Sequence, residues 1–332
     1  MSNKPSPNNT NSTCANNPSV HGSVQGTYED IAGLFRDAAY FRTLKRDSRR
    51  QRWRRRMRKL HCLIERVLKV PQWENAYRAY RQGQLKPPTL SICIITMNSA
   101  ERIVPLLKYL RPYCDELVVG VDSKTTDNTF EACQGLCDEL FVIESTALTC
   151  NAGLEPLVGR CHKEWILRLD DDEFPEPEFF RWLPGILNQK NITHYKMPRL
   201  HLSNTQPLSW IDDGYLYPDY QMRLFINNPT LLSFPGAVGH TSIMCAGKRG
   251  KIHTPNLIHL NMAINPRFKR EAKLKTYIER LNGEWVHPVN EHALLFENFD
   301  YAIKPYQHTD KAFCQILKDT TEHQCSIYLS HS

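Results

Sequence analysis

Trp165-Ile-Leu-Arg-Leu-Asp170-Asp-Asp-Glu173 is a short, mostly apolar run that stops in four consecutive acidic residues. An apolar run of this length is a strand rather than a helix. Ligands of an open parallel sheet bind beyond the carboxyl ends of its strands, so a strand that stops in carboxylates reads as the floor of a site. Four adjacent acids repel one another, and a cation relieves that repulsion. Oxygen-rich sites suit Mg²⁺ or Mn²⁺, held by one or two carboxylates together with waters and substrate phosphates. A solvated acidic turn is the plain alternative. Placement directly behind a buried strand favours the site.

The same grammar extends upstream. Leu90–Thr96 is a second buried strand, with an amphipathic helix following at Ala100–Leu110. Residues 116–121 make another strand, and Asp122 closes it. A polar turn over 122–128 opens a helix expected to reach 137. Residues 139–144 form a strand and 151–161 a helix. Strands that alternate with helix-length segments predict an α/β fold, with right-handed crossovers giving a parallel sheet covered on both faces. Beyond Pro177 the pattern decays into shorter strands at 194–202, 221–226 and 257–260, followed by a helix at 267–281.

The chain has 332 residues, of which 41% are hydrophobic and 10% aromatic, ordinary for a globular protein. Its mean hydropathy is −0.49, and no apolar run approaches the ~18 residues of a membrane span. The N-terminus lacks a basic stretch leading into an apolar one, which implies a cytoplasmic chain whose eleven cysteines stay reduced. The Asn8, Asn11 and Asn191 sequons then carry no meaning. Residues 1–27, crowded with Asn, Ser, Pro and Thr, read as a disordered tail.

The net charge of +7 is a local feature. Eight basic residues and no acidic one lie between 49 and 59, and without them 34 basic residues face 35 acidic ones. A nucleic-acid reader with a basic face over its whole domain is therefore disfavoured. Around this run Trp53, Met57, Leu60, Ile64 and Val67 alternate at spacings of four and three, which predicts one helical stripe. Pro71 is expected to end that helix. The stripe is expected to pack on the domain with its arginines solvated. Peripheral attachment to an anionic membrane surface on its inner face is the competing reading.

Several segments resemble the family 2 glycosyltransferases. They are Leu90-Ser-Ile-Cys-Ile-Ile-Thr96-Met-Asn98, Glu116-Leu-Val-Val-Gly-Val-Asp122 with Asp127, and the Trp165 to Glu173 run. Tyr217-Pro-Asp219-Tyr-Gln-Met-Arg223-Leu-Phe225 and His259-Leu-Asn261 are similar to segments of members that extend lipopolysaccharide core and related glycans. The resemblance implies a GT-A fold over 87–300. That fold joins a Rossmann-like nucleotide-binding sheet to an acceptor-binding subregion, here with a basic helical extension at 28–86 and a C-terminal extension at 301–332. It implies an inverting transfer of sugar from a nucleotide-diphosphate donor, a UDP-sugar above all, to a glycan or lipid-linked glycan. The implied cofactor is Mn²⁺ or Mg²⁺.

On that resemblance Thr96, Asn98, Asp122, Asp170 and Arg223 serve the donor. Asp170, Asp172 and His240 serve the metal, with His259 a further candidate. Asp212, Asp213 and Asp219 compete for the base that takes the acceptor proton, and Asp219 is preferred because it opens a strand. Arg223 serves a phosphate or orients a carboxylate. The rival from another class is a catalytically silent GT-A scaffold that binds a sugar nucleotide or a partner protein.

Overall fold

A computed structural model describes residues 24–25, 48–144, 153–212, 217–235, 243–265, 268–270, 272, 284–285 and 302–330. All of the tail but Val24–Gln25, together with His240, Asp213 and nearly all of the helix expected at 267–281, lies outside the described residues.

Four parallel strands form the heart of the sheet: β1 (Leu90–Thr96), β2 (Glu116–Asp122), β3 (Glu139–Ile143) and β4 (Trp165–Asp170). Their order is β3-β2-β1-β4. The chain runs outward from β1 through β2 to β3, then returns to the other side of β1 for β4. The reversal makes the gap between the ends of β1 and β4 a topological switch point, where α/β sheets bind ligands. Side chains alternate between two apolar layers. Ile92, Ile94, Leu117 and Val119 belong to one, while Cys93, Ile95 and Val118 belong to the other. Helices α1 (Ser48–Leu68) and α2 (Val70–Arg81) precede the sheet; α3 (Ala100–Leu110) covers the first layer and the short α5 (Leu154–Gly159) the second. The short α4 (Thr129–Cys133) follows β2. It stops before the expected 137 because Gly135 takes a positive φ of 72°.

Beyond β4 the sheet turns antiparallel. The strand β5 (Glu173–Pro175) is followed by α6 (Pro177–Leu187), a helix in a stretch for which no element was expected. Pro177 sits in its first turn, and Phe179, Phe180, Leu183, Ile186 and Leu187 repeat with helical spacing and are buried. Strands β6 (His194–Thr205), β7 (Leu208–Ile211) and β8 (Asp219–Ile226) complete the sheet, with β8 between β4 and β6. Strand β9 (Leu257–His259) lies between β5 and β6, and β10 (Ile303–Pro305) pairs with β7. Helix α7 (Lys311–Ser330) buries Phe313 and Leu317 in the main core.

The basic segment forms α1 (Ser48–Leu68), and α2 (Val70–Arg81) follows after a break at Lys69. Pro71 therefore starts a helix instead of ending one, consistent with its fitness for a first turn. Trp73 of α2 is 2% exposed. It lies so close to α6 that a Cβ added at Gly185 would come within 2.7 Å of the Trp73 Cα. Glu74 accepts hydrogen bonds from Arg181 and from the Trp182 indole.

The orientation of α1 overturns the expected packing of its stripe. Trp53, Leu60, Ile64 and Val67 are 61%, 46%, 43% and 61% exposed. The opposite face does the docking. Arg55 donates to the Asp212 carbonyl at 2.5 Å, and Arg58 donates to the Tyr217 hydroxyl. Glu65, 1% exposed, accepts from the backbone N–H groups of His253 and Thr254 at 2.6 and 2.9 Å. Paired polar groups fix the helix because a buried carboxylate left without partners is costly. No helix of the described residues is long and apolar enough to cross a membrane, and the eight cysteines whose side chains are described are free.

Candidate active site

Strand register assembles the site. Thr96, Asp122 and Asp170 are the last residues of β1, β2 and β4, so all three lie at one edge. Strand β8 runs antiparallel to β4, which brings its first residue, Asp219, to that same edge. Across the ladder Asp219 pairs with Arg199 of β6. Strand β9 sets His259 beside both His201 and Glu173. Residues distant in sequence thus meet through backbone pairing alone.

The middle aspartate ties the switch point together. Asp171 accepts hydrogen bonds from Thr96 Oγ1 at 2.7 Å and Arg102 at 2.9 Å, and also from the Ser99 hydroxyl. Asn98 stands at a φ of 50°, a conformation asparagine tolerates. Its Oδ1 accepts from the Thr126 N–H at 2.8 Å, which joins the loops after β1 and β2. Asp122 is buried and accepts from the Lys124 N–H at 2.8 Å, closing the turn that follows β2.

A continuous polar network fills the edge behind these loops. Asp170 receives Arg168 on Oδ1 at 2.6 Å and Arg223 on Oδ2 at 2.5 Å. Arg223 is buried and also clamps the fully buried Glu173 with two hydrogen bonds of 2.7 and 2.6 Å. Glu173 in turn meets Arg199 at 3.2 Å, and Arg199 holds Asp219 through Nε at 2.7 Å and a second nitrogen at 2.6 Å. Four carboxylates, Asp170, Asp172, Glu173 and Asp219, face three guanidinium groups, Arg168, Arg199 and Arg223. With neutral histidines the cluster keeps one negative charge. Burial works to raise the Asp170 and Asp219 carboxyls, but Arg168 and Arg223 hold the first well below its ordinary range and Arg199 the second.

Two histidines close the network. Their Nδ1 atoms lie 2.9 Å apart, so one donates and the other accepts. Burial lowers the pKa of His201 against the pull of Asp219, which keeps that ring neutral. Its Nε2 is buried, with the Asp219 carboxylate at 3.6 Å. A proton on that nitrogen makes the approach attractive. His201 Nδ1 is then the acceptor, and His259 carries its proton on Nδ1. The remaining nitrogen of His259, Nε2, faces Asp172 Oδ2 at 3.3 Å. A lone pair and a carboxylate facing each other call for a positive charge, either a proton on Nε2 or a metal ion. Burial opposes ionisation of Asp172, yet a positive charge on the His259 ring beside it holds its carboxyl down to about 2.

The candidates expected from the sequence separate here. Asp170, Asp172, Asp219 and Arg223 meet in one network, whereas Thr96, Asn98 and Asp122 line the neighbouring loops. Asp212 is engaged elsewhere, by the Lys304 ammonium. Arg223 is enclosed by carboxylates, which fits orientation of Asp170 and Glu173. Arg168, Arg199 and His201 were not anticipated, and Asp171 and Glu173 belong to the expected acidic run without a role of their own having been assigned. Their signal was present: Arg168 interrupts an apolar strand, and Arg199 and His201 share one face of β6 at a spacing of two. Among the described residues no group of three or more His, Cys, Asp or Glu side chains stands ready to hold a metal ion. Asp172 and His259 offer two ligands, enough for an ion whose other positions belong to water and phosphate.

No protein-family model matches the chain, and no curated protein does. Solved structures do. Glucosyl-3-phosphoglycerate synthase from Mycobacterium tuberculosis, in complex with Mn²⁺, uridine diphosphate and phosphoglyceric acid, matches at 18% identity and a TM-score of 0.30, over 40% of this chain and 47% of that one. A second structure of the M. tuberculosis synthase matches at 19% identity and a TM-score of 0.31, over 39% and 48%. A mycobacterial protein matches at 17% identity and a TM-score of 0.31, over 40% and 45%. The chain spans just under half the length of each.

Proposed function

We propose that the protein is a glycosyltransferase of the GT-A kind, moving a sugar from a nucleoside-diphosphate donor to a hydroxyl of a glycan or lipid-linked glycan with inversion. The observation that carries the proposal is the Asp172–His259 pair, set beside the β1–β4 switch point and backed by a network with one negative charge to spare. The motif resemblance at Thr96, Asn98, Asp122 and Asp170 to Asp172 supports it.

In this reading the nucleotide lies over the ends of β1 and β2, against Asn98 and Asp122, while Asp171 braces the loops beneath. Asp172 and His259 would hold Mn²⁺ or Mg²⁺, with Asp170 alongside; such an ion neutralises charge that grows on the departing diphosphate. Asp219 and His201 act behind it, fixing the His259 tautomer so that Nε2 presents a lone pair. The sugar's anomeric carbon loses its bond to the diphosphate oxygen, which keeps the electron pair, and gains a bond to the acceptor oxygen. Asp219 takes the acceptor's proton. Its pairing with Arg199 makes it a weak base, suited to a late transfer in which the hydroxyl surrenders its proton once the new bond has largely formed.

The test is incubation with a panel of nucleotide sugars and Mn²⁺, following release of nucleoside diphosphate. Release by the wild type that disappears in Asp172→Ala supports transfer. Tight nucleotide binding with no release for any donor would favour a silent scaffold.

A further inference from the structure

We infer that α1 lies on an anionic lipid surface through the face it turns away from the domain. Two stripes of helical period run along this segment. Arg55, Arg58, Cys62, Glu65 and Lys69 form one, and Trp53, Met57, Leu60, Ile64 and Val67 the other, roughly opposite at ~100° per residue. The first is fastened to the domain. Besides the Arg55, Arg58 and Glu65 contacts, Cys62 meets the His253 carbonyl at 3.3 Å, and Lys69 reaches Glu65 at 3.3 Å and the Lys251 carbonyl at 3.4 Å. His61 stacks on His253 with ring centroids 4.8 Å apart. The second stripe is thereby locked outward and broadened by Leu63 and Leu68, 58% and 60% exposed.

Six large apolar side chains exposed on one helix face are more than the scattered apolar residues of an ordinary surface. Charge selects the partner. Arg56, Lys59 and Arg66 are exposed on the same helix. Its one acid, Glu65, is spent on the domain. An apolar face bordered by arginine and lysine is the composition of helices that lie in the plane of a membrane interface. Each basic residue near anionic lipid adds about fivefold to partitioning, so three supply on the order of a hundredfold. The inference rests on α1 alone and survives a failure of the sugar-transfer reading, because lipid binding needs no substrate.

Co-sedimentation of the full chain with vesicles tests it, comparing phosphatidylcholine alone with phosphatidylcholine containing about a third phosphatidylserine. Binding should require the anionic lipid and weaken as salt rises. A Leu60→Ser/Leu63→Ser/Ile64→Ser variant should lose at least tenfold in binding while its melting temperature holds. Arg56→Gln/Lys59→Gln/Arg66→Gln should lose the preference for phosphatidylserine. Sedimentation that ignores lipid charge and salt overturns the inference, and so does failure to sediment. Concentration-dependent dimerisation without lipid, abolished by the serine variant, would also overturn it by naming a second copy of the chain as the occupant.

Discussion

The edge of the sheet and the outer face of α1 depart from the usual partition of residues in opposite senses. At the edge, Glu173, Arg168, Arg199 and Arg223 are buried, although charged side chains are seldom buried unless paired. On α1, six large apolar side chains face outward while a carboxylate is buried beneath them. The first departure is largely satisfied inside the molecule: Asp170, Glu173 and Asp219 are paired with Arg168, Arg199 and Arg223, and the charge left over lies at the Asp172–His259 contact, where a further cation fits. The second is not satisfied among the described residues, where Trp53, Leu60, Leu63, Ile64, Val67 and Leu68 stay exposed. An internally balanced inversion points to chemistry, and an unbalanced one points to a partner.

The largest expected effect sits at the edge. Asp219→Asn should cut transfer ~10²- to 10⁴-fold while nucleotide affinity stays nearly intact. If affinity falls in step with turnover, Asp219 is an anchor for Arg199 and not the base. Next comes the buried pairing itself. Glu173→Gln leaves Arg223 and Arg199 short of one buried negative charge, and chemical denaturation should record a loss of ~3 to 5 kcal/mol. A loss under ~1 kcal/mol would mean that the network is not energetically coupled. The smallest effects separate the two regions most cleanly. Leu106→Ala, in the core over β1, should cost ~2 to 5 kcal/mol, whereas Leu63→Ala on the outer face of α1 should stay within ~0.5 kcal/mol. Equal costs would show that the stripe is packed after all.

What could be read from sequence follows the physics of each part. The four parallel strands are continuous apolar runs, since both faces of their sheet are covered, and such runs are visible without a structure. The carboxylates at their ends follow directly. The antiparallel half is harder, because Glu173, Arg199, His201, Asp219 and His259 meet through the register of β5, β6, β8 and β9, and register is not written in any local spacing. The Asp-x-Asp pattern assigns roles to its outer members only, while the middle one, Asp171, secures Thr96 and Ser99. The period of α1 was legible but its orientation was not. Both stripes repeat at three and four, and the polar one docks because Glu65 finds two backbone donors and Arg58 finds Tyr217. Helix α6 was not anticipated, although Pro177 suits a first turn and the apolar residues behind it repeat with helical spacing.

The proposed transfer requires Asp172 and His259 to hold a divalent cation together with a nucleoside diphosphate. Thermal unfolding with uridine diphosphate, with and without Mn²⁺, tests it most directly, since a ligand of the native state raises the melting temperature. The wild type should be stabilised only when both are present, and His259→Ala and Asp172→Ala should each erase that shift while their ligand-free melting temperatures remain cooperative. A shift of the same size in both variants, or one that persists without the metal, would contradict the claim.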